Sequence, residues 1–232
     1  MFKLDYETRY GDFKTPDTIK PSTILDIVQD IATRHSSECG YGMHRLKEMG
    51  IAWLMQGIKL HFDAPVKTMT LITANTAVKN MKGVISERGT ILEQNGVAVA
   101  KTVAAWFMFD TNKMRPCRIP AEIAESYGTH DFCDDFFNYS KPELMDIPKA
   151  YTITVRNKEI DTNNHLNNQK SAEFLMDALP FNFCFTDMNV FYKKAAYLGD
   201  DLEVCVTEIE NGYYVHLQTK DKEICVAGTF TK

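Results

Sequence analysis

Residues 20–34 read Lys20-Pro21-Ser22-Thr23-Ile24-Leu25-Asp26-Ile27-Val28-Gln29-Asp30-Ile31-Ala32-Thr33-Arg34. A proline at the threshold and a serine suited to capping precede Ile24, Leu25, Ile27, Val28, Ile31 and Ala32 at helical spacing, with Asp26, Asp30 and Arg34 on the opposite face. The pattern predicts an amphipathic helix of three to four turns. A second helix is expected from about Asn168, where Ala172, Leu175, Met176 and Leu179 are apolar and Pro180 marks the stop.

Outward from each helix the periodicity changes to that of strands. Ile51–Phe62, Thr70–Val78, Gly83–Leu92 and Val97–Phe109 follow the first helix. Met188–Tyr192, Leu202–Glu208, Tyr213–Thr219 and Ile224–Phe230 follow the second. Asn95-Gly96 between two apolar runs is a hairpin signal. The order strand, helix, four strands therefore occurs twice, and an offset of 147 residues sets Thr8-Arg9 on Val155-Arg156 and the apolar Ile27-Val28 on Phe174-Leu175. A long helix wrapped by an antiparallel sheet of about five strands is the hot-dog fold. The expected class is α+β, a double hot dog with an N-terminal unit over 1–128, a linker over 129–149 and a C-terminal unit over 150–232. The linker is acidic but carries Phe132, Phe136, Phe137 and Tyr139, so it is expected to pack on a sheet surface rather than to float in solvent.

Composition excludes several classes. With 232 residues, 44% hydrophobic and 25% charged, the chain is neither disordered nor fibrous. No apolar run suits a membrane span, and Met1–Phe13 is charged and aromatic rather than a signal peptide, so the expected compartment is the cytoplasm. Residues 1–130 hold 16 Lys and Arg against 14 Asp and Glu, and residues 131–232 hold 10 against 17, which does not support nucleic-acid binding. The six cysteines lack CxxC spacing, and neither a metal nor any other cofactor is expected.

The stretch that carries chemistry is Asp161-Thr162-Asn163-Asn164-His165-Leu166-Asn167-Asn168, just before the second helix. A polar turn capping that helix through Asn167 or Asn168 would have the same composition. The alternation Asp161-x-Asn163-x-His165 favours a site, because an extended segment would place all three side chains on one face beside a helix N-terminus. The positions matching them in the first half, Lys14, Pro16 and Thr18, have no acid–base chemistry at neutral pH.

The motif Asp-x-Asn-x-His-x-Asn-Asn followed by a helix resembles that of the acyl-acyl-carrier-protein thioesterases of plants and bacteria. The likeness extends to Ala52-Trp53-Leu54-Met55, Ala104-Ala105-Trp106-Phe107-Met108 and Arg118-Ile119-Pro120-Ala121-Glu122. It implies a hydrolase of fatty acyl thioesters on acyl carrier protein, with Asp161, Asn163 and His165 catalytic and Asn167 and Asn168 supporting the site or the oxyanion. In the plant enzymes the segment resembling Tyr192-Lys193-Lys194-Ala195-Ala196 carries a glutamate, often beside a cysteine, where this chain has Ala195 and Ala196.

Direct attack by water, with His165 or Asp161 as base, is the expected mechanism, since none of the cysteines adjoins the motif. The acyl chain needs an apolar slot, for which Ile27, Ile31, Trp53, Met55 and Trp106 are candidates that core packing would explain equally well. An acidic carrier protein should meet a basic surface, and Lys79, Lys82, Arg88, Lys101, Lys113, Arg115 and Arg118 outnumber the acids of residues 79–118, with Lys193 and Lys194 as a second spot. An acyl-CoA thioesterase, a hydroxyacyl dehydratase and an acyl-binding module without activity are the competing readings, and homodimerisation stays open.

Overall fold

The computed structural model describes residues 1–68, 70–161 and 164–232. The chain divides into two compact units, Met1–Gln56 with Leu60–Tyr139, and Gly57–Lys59 with Ser140–Lys232.

In the first, β1 (Phe2–Glu7) leads through a small hairpin, β2 (Phe13–Thr15) and β3 (Thr18–Ile19), into helix α1 (Pro21–Glu38). Helix α2 (Met43–Glu48), strands β4 (Ile51–Phe62), β5 (Leu71–Lys82), β6 (Ile85–Gln94) and β7 (Val97–Asp110), the short β8 (Arg115–Pro116) and helix α3 (Ala121–Tyr127) follow. The sheet order is β1-β5-β6-β7-β4. Helix α1 buries Ile24, Leu25, Ile27, Val28, Ile31 and Ala32, the stripe expected of its sequence. The other two helices were not anticipated. Leu46 of α2 and Ile123 of α3 form a cluster with Met108 and Ile119, against which Trp53 packs.

The second unit comprises β9 (Lys149–Thr154), α4 (Asn168–Asp177), β10 (Asp187–Tyr192), β11 (Asp201–Ile209), β12 (Gly212–Gln218) and β13 (Ile224–Thr231), with sheet order β10-β13-β12-β11-β9, antiparallel throughout. Helix α4 buries Ala172 and Leu175, and a Cβ added at Gly228 of β13 would lie 3.1 Å from Leu175 Cδ1. A glycine there lets the helix approach the sheet closely.

The 147-residue offset is reproduced in detail up to the helices. Strand β1 maps onto β9, the turn Tyr10–Asp12 onto Asn157–Glu159, and the first residue of α1, Pro21, onto the first of α4, Asn168. In both turns an acid accepts the main-chain N–H three residues earlier, Asp12 from Arg9 at 2.6 Å and Glu159 from Arg156 at 2.7 Å. The Phe13↔Ile19 pair of the small hairpin recurs as the isolated bridge Ile160↔Leu166. Each unit is thus one long helix packed on an antiparallel sheet, the double hot-dog architecture. Helix α4 is the shorter, 10 residues against 18.

The aromatic segment beyond α3 packs on the first sheet. Phe132 and Phe137 are buried against Ala77 and Val103, and a Cβ at Gly89 would fall 2.5 Å from Phe132 Cζ. Lys101 fixes the same segment by a 2.7 Å ion pair with Asp134. Among the described residues no helix is long and apolar enough to cross a membrane.

Candidate active site

The Ile160↔Leu166 bridge closes a tight loop around residues 161–165. The N–H of Asp161 donates to the carbonyl of His165 at 2.8 Å, and the N–H of His165 donates to Asp161 Oδ1 at 3.2 Å. Between them Asn164 takes φ 61°, a left-handed conformation that asparagine tolerates better than most residues, and its N–H donates to the Asp161 carbonyl at 3.1 Å. This corrects the expectation of an extended segment. Asp161 and His165 are joined by their main-chain N–H groups in a turn. Asn163, expected to join them, lies outside the described residues.

The loop is anchored at both ends. The Leu166 N–H donates to the carbonyl of Ala196 at 2.8 Å, and the Asn167 N–H to that of Glu159 at 2.9 Å. Leu166 and Glu159 are buried, whereas Asp161 and His165 are only half-buried, so the polar side chains are held by a fixed base while staying within reach of a substrate.

Asn167 resolves the capping question. Its side-chain oxygen accepts from the N–H groups of Gln169 at 2.8 Å and Lys170 at 3.3 Å, and its carbonyl accepts from Ser171. Asn167 is the N-cap and Asn168 the first helical residue. The Asn168 N–H is the opening donor of α4 that this cap does not take.

The Tyr197 ring meets the His165 ring edge-on, with centroids 5.1 Å apart and planes at 86°. Tyr197 is 51% exposed. Sequence reasoning stopped at Ala195, where the glutamate is missing, and overlooked the aromatic residue two positions further on.

The remaining histidines sit elsewhere: His35 beside Arg88, His44 exposed on α2, His61 3.7 Å from Asp63, His130 against the Phe132 ring, and His216 buried on β12. Cys205 and Cys225 are buried, and burial raises both thiols to about 11, which disfavours the thiolate a nucleophile needs. The proposed slot residues Ile27, Ile31 and Met55 are buried, while Trp53 and Trp106 are half-buried.

The expected basic surface needs one correction. Arg88 is 5% exposed and points beneath α1, so it cannot meet a partner. Lys79 and Lys101 are tied to Phe137 and Asp134 of their own unit, and Lys194 pairs with Glu223. Lys82, Lys113, Arg115 and Arg118 are exposed. The Ile119 N–H donates to the Gly83 carbonyl at 2.9 Å, which brings the segment carrying Arg115 and Arg118 beside the turn that follows Lys82.

The family profile for the acyl-ACP thioesterase N-terminal domain matches residues 1–127, and that for the C-terminal domain matches residues 143–229. The chain belongs to the acyl-ACP thioesterase family. It is a thioester hydrolase whose family acts on acyl-ACP. No curated protein sequence matches the chain. Among solved structures, an acyl-ACP thioesterase from Bacteroides thetaiotaomicron superposes with a TM-score of 0.88 at 18% identity, covering 99% of this chain and 96% of that one. A 12:0-ACP thioesterase from Umbellularia californica superposes with a TM-score of 0.87 at 12% identity, with 99% and 96% covered. At such identities the likeness speaks for the fold, and the family rests on the two domain profiles.

Proposed function

We propose that this acyl-ACP thioesterase cleaves its substrate at the loop 161–165, releasing free fatty acid by direct attack of water. His165 takes the proton of the attacking water as general base. Asp161 holds the loop in register through its own main chain and carboxylate, and Asn163 positions the water or the thioester carbonyl. The opening N–H of α4, at Asn168, is the donor suited to the developing oxyanion, because a helix N-terminus favours negative charge. The observation that carries this reading is the mutual closure of Asp161 and His165, which holds an imidazole and a carboxylate at the entrance to a helix. No step requires a cysteine.

The partner is an acidic acyl carrier protein, and the exposed cluster Lys82, Lys113, Arg115 and Arg118 is the surface we assign to it. The apolar stripe of α1 with Met55 and Trp53 is the proposed lining for an acyl chain in the first unit.

The test is thiol release from acyl carrier proteins and acyl-CoAs of matched chain lengths, by the wild type and by the triple charge reversal Lys82→Glu, Arg115→Glu, Arg118→Glu. The wild type should act on the carrier-bound substrate, and the reversal should lower that rate at least tenfold at low salt while leaving the CoA rate within about twofold. Failure with every chain length contradicts the catalytic assignment. Equal losses on both thioesters contradict the docking surface.

A further inference from the structure

Strand β6 is built inside out. On one face it buries Ser86, Arg88, Thr90, Leu92 and Gln94, while on the other Gly89 is buried under Phe132 and Ile85 and Ile91 sit half-exposed. A strand with one buried face ordinarily buries its apolar residues there. Gln94 is satisfied by Lys67 and Thr70, and it is the charge of Arg88, which reaches His35 of α1, that calls for an explanation.

The register shows what surrounds them. Ser86 lies opposite Trp106, Arg88 opposite Ala104 and Thr90 opposite Thr102 on β7, and Thr90 faces Thr76 on β5. Paired residues of adjacent strands project to the same side of a sheet, so Thr76, Arg88, Thr90, Thr102 and Trp106 share the inner face. Three hydrogen bonds bear this out: Thr76 Oγ1 to Thr90 Oγ1 at 2.9 Å, Arg88 Nη1 to Thr76 Oγ1 at 3.4 Å, and Arg88 Nη1 to His35 Nδ1, on α1, at 2.8 Å.

Among the described residues the guanidinium has no carboxylate partner. The nearest acids in sequence on β6, Glu87 and Glu93, lie on the opposite face, where Glu87 accepts from Tyr139 N and Asn80 Nδ2 and Glu93 from Asn75 Nδ2. His35 is neutral when it accepts from Arg88, and the Tyr127 ring, 5.6 Å from Arg88 Cζ, supplies only a quadrupole. Two further polar atoms of this face, Thr102 Oγ1 and Trp106 Nε1, are buried and make no hydrogen bond among the described residues. A buried cation without a counter-ion and two buried donors without acceptors are each costly. Arg88 pairs with Ala104, and Thr102 and Trp106 flank that alanine on β7, so the buried cation and the two buried donors lie along one stretch of the same sheet face.

We propose that the first unit contains an internal carboxylate-recognition site, with Arg88 as the charge and Thr102 and Trp106 as neutral donors, for the carboxylate of an aliphatic chain lying between α1 and the sheet. A carboxylate is acceptor-only and supplies the missing negative charge, which a hydroxyl or a methyl terminus does not. The aliphatic nature of the ligand rests on the thioesterase reading; the carboxylate chemistry does not. The carboxylate has two sources, a released fatty acid or the distal acid group of a dicarboxylic acyl thioester.

The experiment measures binding of a saturated fatty acid and of the primary alcohol of equal chain length to the whole chain, by thermal shift and calorimetry, alongside thiol release from monocarboxylic and dicarboxylic acyl thioesters. Wild type should bind the acid at least tenfold more tightly than the alcohol, or turn over the dicarboxylic thioester preferentially. Thr102→Val, which deletes the hydroxyl at nearly constant shape, should shrink that preference several-fold while leaving alcohol binding unchanged; Trp106→Phe, which removes the indole N–H together with part of a slot ring, should shrink the preference as well, and Arg88→Met should abolish it. Selective binding of the free acid assigns the site to released product, and selective turnover of the dicarboxylic thioester assigns it to substrate. Equal affinity for acid and alcohol together with no dicarboxylic preference overturns the proposal, as does a preference that Thr102→Val and Trp106→Phe leave intact. Selective acid binding with no thiol release from any thioester would retain the site and remove the catalytic reading.

Discussion

Asp161 and His165 bind each other in both directions, once through the main chain and once through a carboxylate: the Asp161 N–H reaches the His165 carbonyl at 2.8 Å, and the His165 N–H reaches Asp161 Oδ1 at 3.2 Å. The equivalent hairpin of the first unit, Phe13↔Ile19, encloses Lys14, Pro16 and Thr18. One scaffold therefore carries an acid and an imidazole in one unit and no acid–base pair in the other.

The carboxylate of Asp161 acts here as a hydrogen-bond acceptor that holds His165, so its charge should matter less than its oxygen. Asp161→Asn, which keeps an acceptor, is expected to retain more kcat than Asp161→Ala, with the alanine variant at least tenfold lower. Steady-state thiol release decides it. Equal losses in the two variants would place the role in the charge instead.

Asn167→Ala removes the acceptor for two opening N–H groups of α4. The expected cost is about 1 kcal/mol, the usual worth of such a cap. Urea unfolding should show it as a lower midpoint, and Asn167→Asp should recover most of the loss.

The repeated plan was legible because both units keep the same periodicities. Strand β4 falls on Ile51–Phe62 as read, and the strand from Ile224 overshoots its expected end by a single residue. Helices α2 and α3 escaped notice because 6 and 7 residues hold fewer than two full turns, and neither has a side-chain cap. Arg88 was counted with the surface lysines because a charge balance ignores strand parity. Reading β6 as alternating would have set Arg88 with Ser86 and Thr90, opposite Glu87. The Asp161–His165 pair was legible in residue type and not in geometry, since the αL turn at Asn164 depends on closure by Ile160 and Leu166.

Burial, together with the positive charge of Arg88 and of the amino terminus, lowers the His35 imidazole from 6.5 to about 4. Its folded value lies below its unfolded value, so between these limits the unfolded chain binds the extra proton. Stability is fully present above about pH 6.5 and falls as the pH drops toward 4. Unfolding free energies at pH 7 and pH 5 should differ less in His35→Asn than in the wild type. His216, also lowered by burial, has the same sign and remains in both proteins. An unchanged pH dependence in the variant would contradict the assignment to His35.

Gly89→Ala places a Cβ 2.5 Å from the Phe132 ring, on a strand that cannot easily move. The expected destabilisation is about 1–3 kcal/mol, as for overpacked cores. Adding Phe132→Leu to Gly89→Ala should restore part of it, which separates a clash with Phe132 from a general intolerance of the strand. Differential scanning calorimetry reads both.

The central claim, that His165 is the base for water attack, is tested most directly by thiol release from acyl-ACP with His165→Ala beside the wild type, circular dichroism confirming an unchanged fold. The account predicts a fall in kcat of about two to four orders of magnitude with little change in KM. Near-wild-type turnover in the variant would contradict it.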